Sequence, residues 1–408
     1  MIFDSTDILL PNKDVDLQKW AVIACDQYTS QPEYWKETEN IAGSAPSTLK
    51  LTLPEIYLSE AGKLTEEINE NMKKYLADGT LTEAVKNGFI YVERQTSAGV
   101  LSGLLGALDL EEYDFREGTK PKVRATEGTI LSRIPPREKI RENAVLELPH
   151  VLLLLNDAEK QLIEPLAAQK NSFRKLYDFD LMQNGGHIAG WAIEGKAAEK
   201  LRIRLSELEE KAGEIFLAAG DGNHSIATAK SCWEKLKSAL SPEEVKNHPA
   251  RRMLAEIVNL HSDTIVFQPI HRVLFGIKED IVEAFERWLE LNGMSLMEGS
   301  EITFTFANGG EEEFAIDGRG KLMPLAVMQK WLDKYAAKNK YLSLDYVHGR
   351  ANVDKIVAES GAVGIIFNAM DKKSFFPAIK AGGALPKKTF SIGSADDKRF
   401  YLEARKIR

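Results

Sequence analysis

The chain has 408 residues, and at about 150 residues per domain it has room for two or three domains, each with its own hydrophobic core. Hydrophobic residues make up 44% and charged residues 28% of the chain, which excludes a disordered, collagen-like or disulfide-built protein. With 53 Lys and Arg against 61 Asp and Glu, the formal charge of -8 argues against general binding to nucleic acid or to an anionic membrane.

Neither the two cysteines nor the N-terminus indicates an extracellular or membrane protein. Cys25 and Cys232 lack a Cys-x-x-Cys partner and a histidine at metal-ligand spacing, so neither a disulfide framework nor a zinc site is predicted. The first ten residues have no basic segment, and the apolar run at 151–155 is far too short to span a bilayer. We expect a cytoplasmic protein without a membrane span.

Predicted strands and helices alternate through the first half of the chain, which is typical of a mixed α/β domain. The predicted elements are a strand at 20–25, helices at 32–40 and 56–76, a hairpin within 88–110, a helix at 137–143, a strand at 151–155, a helix at 158–170, a strand at 187–193, a helix at 196–212, and a strand at 214–219 that leads into a turn and a further helix.

A helix at 278–291 ends at Asn292-Gly293, and the pattern changes there. We place a domain boundary at Gly293, which gives a main α/β domain over 1–293 and a smaller α+β lobe over 294–408. The lobe's predicted elements are a hairpin of 302–307 and 312–316, a helix at 324–337, a strand-helix-strand unit over 342–367, and a closing strand pair at 389–392 and 400–404.

The most distinctive local feature is the glycine-spaced polar turn within 216–230, between a buried strand and a helix. The start of a helix offers free N–H groups and a positive dipole end to an anion, and Gly220 and Gly222 would let the backbone approach a phosphate. His224 could donate a hydrogen bond or relay a proton. Asp221 would repel a phosphate unless it binds a metal ion such as Mg²⁺ or acts as a base.

The same turn has an ordinary structural interpretation of equal weight. Asp221 would then form an Asx turn, Asn223 or Ser225 would cap the helix, and His224 would be a surface residue. The turn matches neither the Walker A loop nor the dinucleotide Gly-x-Gly-x-x-Gly pattern, so these two classes of nucleotide site are not supported.

A second candidate segment, 124–129, combines an arginine, a carboxylate and two hydroxyls. Glu127 could be a general base or a metal ligand, and Arg124 could bind a phosphate in a bidentate manner with Thr129 nearby. The structural alternative is an exposed loop with one salt bridge.

Two further segments add basic groups that could bind phosphate. His271 and Arg272 close a strand-like segment, and Lys387 and Lys388 follow a flexible Gly382-Gly383 pair. Structural roles for the first pair and solvated lysines for the second are the commoner explanations.

Five segments in this order resemble the bacterial and archaeal domain-of-unknown-function family 1015, and they span about two thirds of the chain. They are Arg124-Ala-Thr-Glu127-Gly-Thr, Ala219-Gly-Asp221-Gly-Asn-His224, Pro269-Ile-His271-Arg272, Asp345-Tyr-Val-His348 and Leu385-Pro-Lys-Lys-Thr389.

The central turn is in addition similar to the Asp-Gly-His-x-Arg turn of the ParB and sulfiredoxin-like superfamily, which includes the free-serine kinases. This resemblance implies a ParB/sulfiredoxin-like core, with Asp221, Gly222 and His224 at a nucleotide phosphate and Glu127 as a catalytic carboxylate. The chain departs from the family pattern Ala-Asp-Gly-His-His-Arg, since Asn223 replaces a histidine and Ser225 replaces the arginine.

Two functions are compatible with these observations. One is an enzyme of phosphoryl transfer on a small hydroxyl metabolite such as serine or phosphoserine, with a nucleotide and Mg²⁺ held by Asp221 or Glu127. The other is a non-catalytic nucleotide or anion sensor, which the missing arginine favours. ParB-like DNA binding is disfavoured by the pI near 5.6 and by the lack of an evident helix-turn-helix. The sequence leaves the oligomeric state open.

Overall fold

The computed structural model describes residues 1–116 and 118–408, which form two compact units. The first unit comprises Met1–Ala125, Thr129–Val266 and Gly393–Arg408, and the second comprises Thr126–Gly128 and Phe267–Ile392. The chain therefore leaves the first unit at Val266 and returns to it for its last residues.

The described strands are β1 (Phe3–Asp4), β2 (Thr6–Pro11), β3 (Val22–Ile23), β4 (Leu81–Thr96), β5 (Gly99–Asp109), β6 (Tyr113–Asp114), β7 (Val123–Arg124), β8 (Leu146–Glu147), β9 (Leu152–Leu155), β10 (Arg174–Asp180), β11 (His187–Ile193), β12 (Leu217–Asp221), β13 (Arg252–Asn259), β14 (Phe267–Phe275), β15 (Ser295–Thr305), β16 (Glu311–Asp317), β17 (Ser343–His348), β18 (Val363–Phe367), β19 (Phe390–Ile392), β20 (Phe400–Tyr401) and β21 (Arg405–Lys406).

The described α-helices are α1 (Leu17–Trp20), α2 (Pro32–Ala42), α3 (Ala61–Ala77), α4 (Ile134–Arg141), α5 (Glu164–Gln169), α6 (Gly195–Lys211), α7 (Asn223–Lys237), α8 (Pro242–Asn247), α9 (Ile281–Glu290), α10 (Pro324–Lys338), α11 (Arg350–Ser360) and α12 (Lys372–Gly382).

A mixed sheet is the core of the first unit. Its main path is β10-β11-β4-β5-β13-β9-β12-β7-β6, with β1 on β5 and β2 on β4. Along β4 the side chains alternate between two hydrophobic clusters, because Ile90 and Val92 face one and Phe89 and Tyr91 face the other. Helix α3 covers the first face, and α6 and α7 cover the second. This confirms the predicted mixed α/β class.

The end of the chain is fixed inside the first unit by a network of buried charges. Arg399 lies between Glu256, at 2.7 Å, and Glu403, at 2.6 Å. Arg94 contacts the other oxygen of Glu256 at 3.2 Å, and Tyr177 donates a hydrogen bond to Glu403. All four charged side chains are at most about 5% exposed, so the contacts with oppositely charged partners offset the cost of removing each charge from water.

The second unit is a six-stranded antiparallel sheet with helices on both faces. Consecutive residues of β14, Val273 and Leu274, face opposite sides of the sheet and belong to different hydrophobic clusters. Helices α9 and α10 contribute to the first cluster and α11 to the second. Since β14 and α9 pack with the later elements, the division between the units does not coincide with the predicted boundary at Gly293.

Several predicted elements differ from the observed ones. The predicted helix at 158–170 shortens to α5, because the Asp157 carboxylate binds the backbone N–H groups of Gln161 and Leu162 and holds the preceding residues in a loop. The predicted closing strand pair does not form, because β19 pairs with β14 and β20 pairs with β3. In the two described ranges, no helix combines the length and apolarity needed to cross a bilayer.

Substituting Arg399 with Met should lower the free energy of unfolding by about 3–5 kcal/mol, because Glu256 and Glu403 would be left as buried carboxylates without this partner. Urea unfolding followed by far-UV circular dichroism measures the change. The matched control is Arg204→Met, which removes an exposed ion pair with Glu207 and should cost less than about 0.5 kcal/mol. Equal stability of the two variants would contradict the role of the network.

Candidate functional site

The polar turn lies between β12 and α7, where Gly222 is the residue before the helix. Gly222 has a φ of 76° and, as a glycine, offers no side chain of its own to cap the first turn of α7. A Cβ atom at this position would lie 2.9 Å from Cγ2 and 3.1 Å from Cα of Val151. Glycine is therefore required both by the left-handed backbone and by the close approach of the neighbouring chain.

Asp221 is a paired carboxylate. Its Oδ2 atom lies 3.1 Å from Nζ of Lys398, and its Oδ1 accepts a hydrogen bond from the N–H of Gly222 at 2.8 Å. Burial opposes ionisation of this carboxyl group, but the Lys398 ammonium outweighs it and lowers the pKa of Asp221, with a further contribution from His150. A metal ion at Asp221 would have to displace Lys398.

His224 is a neutral imidazole in a positive environment. Burial, followed by the charges of Arg133 and Arg137, lowers the pKa of His224 to about 4. Its Nε2 atom accepts a hydrogen bond from the N–H of Ile130 at 3.3 Å, which leaves the proton on Nδ1. At neutral pH His224 is thus a potential donor through Nδ1–H and carries no charge.

Ser225 belongs to a chain of hydrogen bonds that sequence analysis did not predict. Its Oγ atom lies 2.9 Å from Nε2 of His150, and Nδ1 of His150 lies 3.1 Å from the Tyr401 hydroxyl. The Tyr401 hydroxyl donates to Sγ of Cys25 at 3.0 Å. Burial raises the pKa of the Cys25 thiol to about 11, so this thiol remains protonated.

These four residues line a cavity of about 150 Å³ in the first unit. Thr228 of α7 and Arg137 of α4 also face it, and Arg137 forms an ion pair there with Glu55. Most of the other lining side chains are apolar, and the polar groups comprise hydroxyl groups, an imidazole, guanidinium groups and the carboxylates of Asp26, Glu55 and Glu147.

The remaining predicted residues of the first unit lie near this turn. Arg124 lies in β7, which runs parallel to β12, and is the strand partner of Ala218 there. Its side chain donates a hydrogen bond from NH1 to the carbonyl oxygen of Thr119 at 3.1 Å. Within the described chain, the buried Nε of Arg124 and the buried Oγ1 of Thr129 have no hydrogen-bond partner. Gly220 lies in β12, and Asn223 is a buried residue in the first turn of α7.

The other predicted residues belong to the second unit and form a cluster of their own. Oε1 of Glu127 accepts a hydrogen bond from the N–H of Lys388 at 3.1 Å. The side chains of Lys387 and Lys388 are exposed, and Nζ of Lys387 lies 5.6 Å from the centre of the Tyr346 ring. A joint role for Glu127 and Asp221 stays a prediction.

Arg272 has a structural position in this cluster and is fully buried. It donates to Gln329 Oε1 at 2.8 Å and to the carbonyl oxygens of Ile270, Lys387 and Lys388 at 2.6, 3.3 and 3.1 Å. Burial lowers the pKa of its guanidinium to about 10. Without accessible surface, Arg272 meets no phosphate in this structure, and its hydrogen bonds fix the loop that carries the two lysines instead.

His271 is likewise a buried residue of the second unit. Its Nδ1 atom accepts a hydrogen bond from the N–H of Phe367 at 3.3 Å. Burial, followed by the charge of Arg272, lowers the pKa of His271 to about 4. The imidazole is therefore neutral over the physiological pH range.

The residues present do not form a ready site for Mg²⁺. Among residues 1–116 and 118–408, no group of three or more His, Cys, Asp or Glu side chains is arranged to hold a metal ion. Asp221 contacts Lys398, and Glu127 accepts a backbone N–H, so neither candidate ligand belongs to an acidic cluster.

Sequence analysis missed His150, Lys398 and Tyr401. His150 precedes β9, and the antiparallel register that sets Leu152 opposite Asp221 brings it beside the turn. Lys398 and Tyr401 come from the end of the chain. The missing signal was strand pairing, because the polar residues at the end of β12 and at the start of β9 meet only once those strands are paired.

Replacing Gly222 with Ala should destabilise the protein by about 2–4 kcal/mol. This loss is the sum of the cost of a left-handed backbone conformation for alanine and the cost of the steric overlap with Val151. Gly213→Ala is the matched control, since Gly213 has a φ of 68° and a Cβ atom added there would meet no neighbouring group within 4 Å. We expect the control to cost only about 1–2 kcal/mol in urea unfolding. Equal losses would show that the approach of Val151 does not constrain the turn.

The low pKa of His271 predicts a loss of stability on acidification. An unfolded histidine binds a proton near pH 6.5 but the folded one only near pH 4, so stability is complete above pH 6.5 and falls as the pH is lowered towards 4. Between pH 7 and pH 4.5, His271→Gln should lose about 2 kcal/mol less unfolding free energy than the unsubstituted protein.

Urea midpoints at the two pH values test this sign. The control is His187→Gln, because hydrogen bonds to Asp180 and Asp178 raise the pKa of His187 and its contribution has the opposite sign. The interpretation fails if His271→Gln is as sensitive to acid as the unsubstituted protein.

Comparison with known proteins gave one family match. The model of the family described as "Protein of unknown function (DUF1015)" matches residues 9–345, more than half of the chain. No match was found among curated protein sequences.

Several solved structures are similar to parts of the chain at low identity. A free serine kinase in complex with AMP is 13% identical, has a TM-score of 0.39, and is matched over 74% of this chain and 90% of that one. A conserved hypothetical protein from Pyrococcus furiosus is 12% identical, with a TM-score of 0.36 and coverage of 74% and 94%. SbnI from Staphylococcus aureus, truncated at its C-terminus, is 10% identical, with a TM-score of 0.36 and coverage of 71% and 82%. Likenesses with TM-scores this low carry no argument about function.

The family match thus confirms the family indicated by the five sequence segments, and the chain belongs to the DUF1015 family of proteins of unknown function.

Proposed function

We propose that the first unit binds the phosphate of a nucleotide at the start of α7, and that the chain transfers a phosphoryl group to or from a small hydroxyl metabolite. The observation that carries the proposal is the glycine-capped start of α7 beside Arg133 and Arg137. Serine or phosphoserine is the example, because the turn resembles that of the free-serine kinases.

The start of α7 suits an anion for two reasons. Gly222 has no side chain that could cover the start of this 15-residue helix, where the positive end of the helix dipole attracts an anion. Arg133 and Arg137 follow a segment that contacts the start of the helix, since the N–H of Ile130 donates to Nε2 of His224. Both charges contribute to the lowered pKa of His224. A bound phosphate would place negative charge beside these two guanidinium groups.

The neighbouring cavity suits the smaller substrate. Its volume of about 150 Å³ is below the roughly 300–1,000 Å³ of pockets that enclose cofactor-sized ligands. A nucleotide could therefore present only its phosphate end to this place, whereas a metabolite of a few atoms with a hydroxyl group could enter. The polar groups of His150, Ser225 and Arg137 would orient such a molecule.

The proposal uses positive side chains for charge stabilisation. Lys398, Arg133 and Arg137 are the cations near the turn, and charge-assisted hydrogen bonds from such groups stabilise phosphoryl oxygens. The predicted Mg²⁺ stays a prediction, and no step of the proposal depends on it.

One observation favours the second candidate function, a nucleotide or anion sensor without turnover. Lys398 forms an ion pair with the carboxylate of Asp221. The enzyme hypothesis had assigned this carboxylate to metal binding or to base catalysis. The site could then bind an anion although Asp221 would not serve as a base or a metal ligand in a reaction. The two functions differ in one measurable property, the formation of product over many turnovers.

Binding is tested by a thermal-shift titration with ATP, ADP, AMP, CTP, serine and phosphoserine, each with and without Mg²⁺. A ligand at a hundred times its dissociation constant should stabilise the protein by about 2.7 kcal/mol. Arg133→Ala should weaken nucleotide binding about tenfold or more, because it removes a charge beside the phosphate. Lys139→Ala, at an exposed position of α4, the helix that begins directly after Arg133, is the matched control and should bind like the unsubstituted protein.

The same mixtures, assayed for transfer of the nucleotide's terminal phosphate to serine, separate enzyme from sensor. Multiple turnovers support the enzyme, whereas binding without product supports the sensor. The absence of any shift with all six probes, or undiminished binding by Arg133→Ala, would contradict the phosphate site.

A further inference from the structure

The hydrogen bonds of Tyr401 determine which atom donates the proton in the hydrogen bond between Ser225 and His150. The Tyr401 hydroxyl has one proton, which it donates to Sγ of Cys25, and its oxygen accepts the N–H of Cys25 at 3.3 Å. Its contact with Nδ1 of His150, at 3.1 Å, is then a hydrogen bond only if Nδ1 carries the proton. Nε2 is left as an acceptor, and at 2.9 Å it receives the hydroxyl proton of Ser225.

This arrangement has the features of an activated nucleophile. A hydroxyl donates to an imidazole nitrogen, and a third group holds that imidazole in the required tautomer. Tyr401 is itself fixed, because it lies in β20 two residues after the buried Arg399. His150 is only 7% exposed, and both it and Ser225 face the cavity of about 150 Å³.

The position of Ser225 within α7 is a second feature that suits a nucleophile in reactions of anionic groups. It is the third residue of the helix, so a group bonded to its Oγ would lie in the first turn, near the positive end of the dipole. Thr228, one turn later, provides a contrast within the same helix, because its hydroxyl donates to the carbonyl of His224 and has no imidazole acceptor.

We propose that Ser225 is a covalent carrier of the phosphoryl group, with His150 as its general base. The inference rests on the proposed function, since it assumes a phosphoryl donor bound at α7. It changes the proposed reaction from direct transfer to a double displacement through phosphoserine.

In the first step, Ser225 Oγ attacks the terminal phosphorus of the donor while its proton passes to Nε2 of His150. A bond forms between Oγ and phosphorus, and the bond between phosphorus and the bridging oxygen breaks. That electron pair leaves with the nucleoside diphosphate, or with acetate when acetyl phosphate is the donor. In the second step, a hydroxyl of the acceptor attacks the phosphorus and Oγ leaves. The His150 imidazolium returns a proton to Oγ, and the acceptor's own proton is released to water.

The test is acid-quenched intact-mass spectrometry of the full chain after incubation with ATP, CTP or acetyl phosphate, followed by peptide fragmentation. Acetyl phosphate is included because it donates a phosphoryl group without a nucleoside. We expect one phosphate per chain, located at Ser225. Because fragmentation identifies the labelled residue in the unsubstituted protein, this result does not depend on whether a variant folds.

Three variants, each checked by circular dichroism, define the roles. Ser225→Ala should abolish the label, and His150→Gln should slow its formation about a hundredfold or more, the usual contribution of a general base. Tyr401→Phe tests a positioning residue and should shift the pH profile of labelling, because Nδ1 loses its oxygen acceptor. Ser238→Ala, an exposed serine at the other end of α7, should label like the unsubstituted protein.

The outcomes separate this inference from the proposed function. Nucleotide binding in the thermal-shift titration without a label from any of the three donors overturns the covalent step and leaves the phosphate site standing. A label that persists in Ser225→Ala, or that forms at the same rate in His150→Gln, also overturns it. A label from acetyl phosphate without any nucleotide shift supports the carrier role and contradicts nucleotide binding.

Discussion

The candidate site depends on how the last residues of the chain are held in the first unit. Arg399 is buried between Glu256 and Glu403, and a buried guanidinium with two carboxylate partners permits few alternative positions of its backbone. Its neighbour Lys398 contacts Asp221, and Tyr401 contacts His150. The charge network thus positions both groups that control the polar turn, although none of its own members faces the cavity.

Two electrostatic constraints follow at the turn itself. The carboxylate of Asp221 is balanced by Lys398, so its negative charge does not dominate the start of α7. His224 stays neutral because it is buried beside two arginines. The positive end of the helix dipole therefore lies near two guanidinium groups, one of them ion-paired with a glutamate, and this arrangement favours a bound phosphate. The hydroxyl of Ser225, the third residue of the helix, lies in the first turn of α7.

Much of the local structure could be predicted from the sequence. The hairpin of β4 and β5, the helices α6 and α7 and the strand-helix-strand unit of β17, α11 and β18 all follow from periodicity and glycine turns over short segments. In the sequence analysis, Gly222 is assigned to the approach of a phosphate, which stays a prediction; in the structure the atoms closest to a Cβ at this position belong to Val151.

The parts that could not be predicted involve residues far apart in the sequence. His150 and Tyr401 are separated by 251 positions and meet through strand pairing and the buried charges. In the sequence analysis, Arg272 is proposed as a phosphate ligand because an arginine beside a histidine is a suitable anion-binding pair. In the structure its guanidinium is buried and donates hydrogen bonds to backbone carbonyl oxygens. The ParB/sulfiredoxin-like core and the catalytic role of Glu127 stay predictions.

The central claim is that a phosphate binds at the start of α7, and a crystal structure of the protein with bound ATP tests it most directly. The account predicts electron density for a phosphate within hydrogen-bonding distance of the first-turn N–H groups of α7, with Arg133 or Arg137 turned towards it. A phosphate bound elsewhere, with the first turn of α7 in contact only with solvent, would contradict the account.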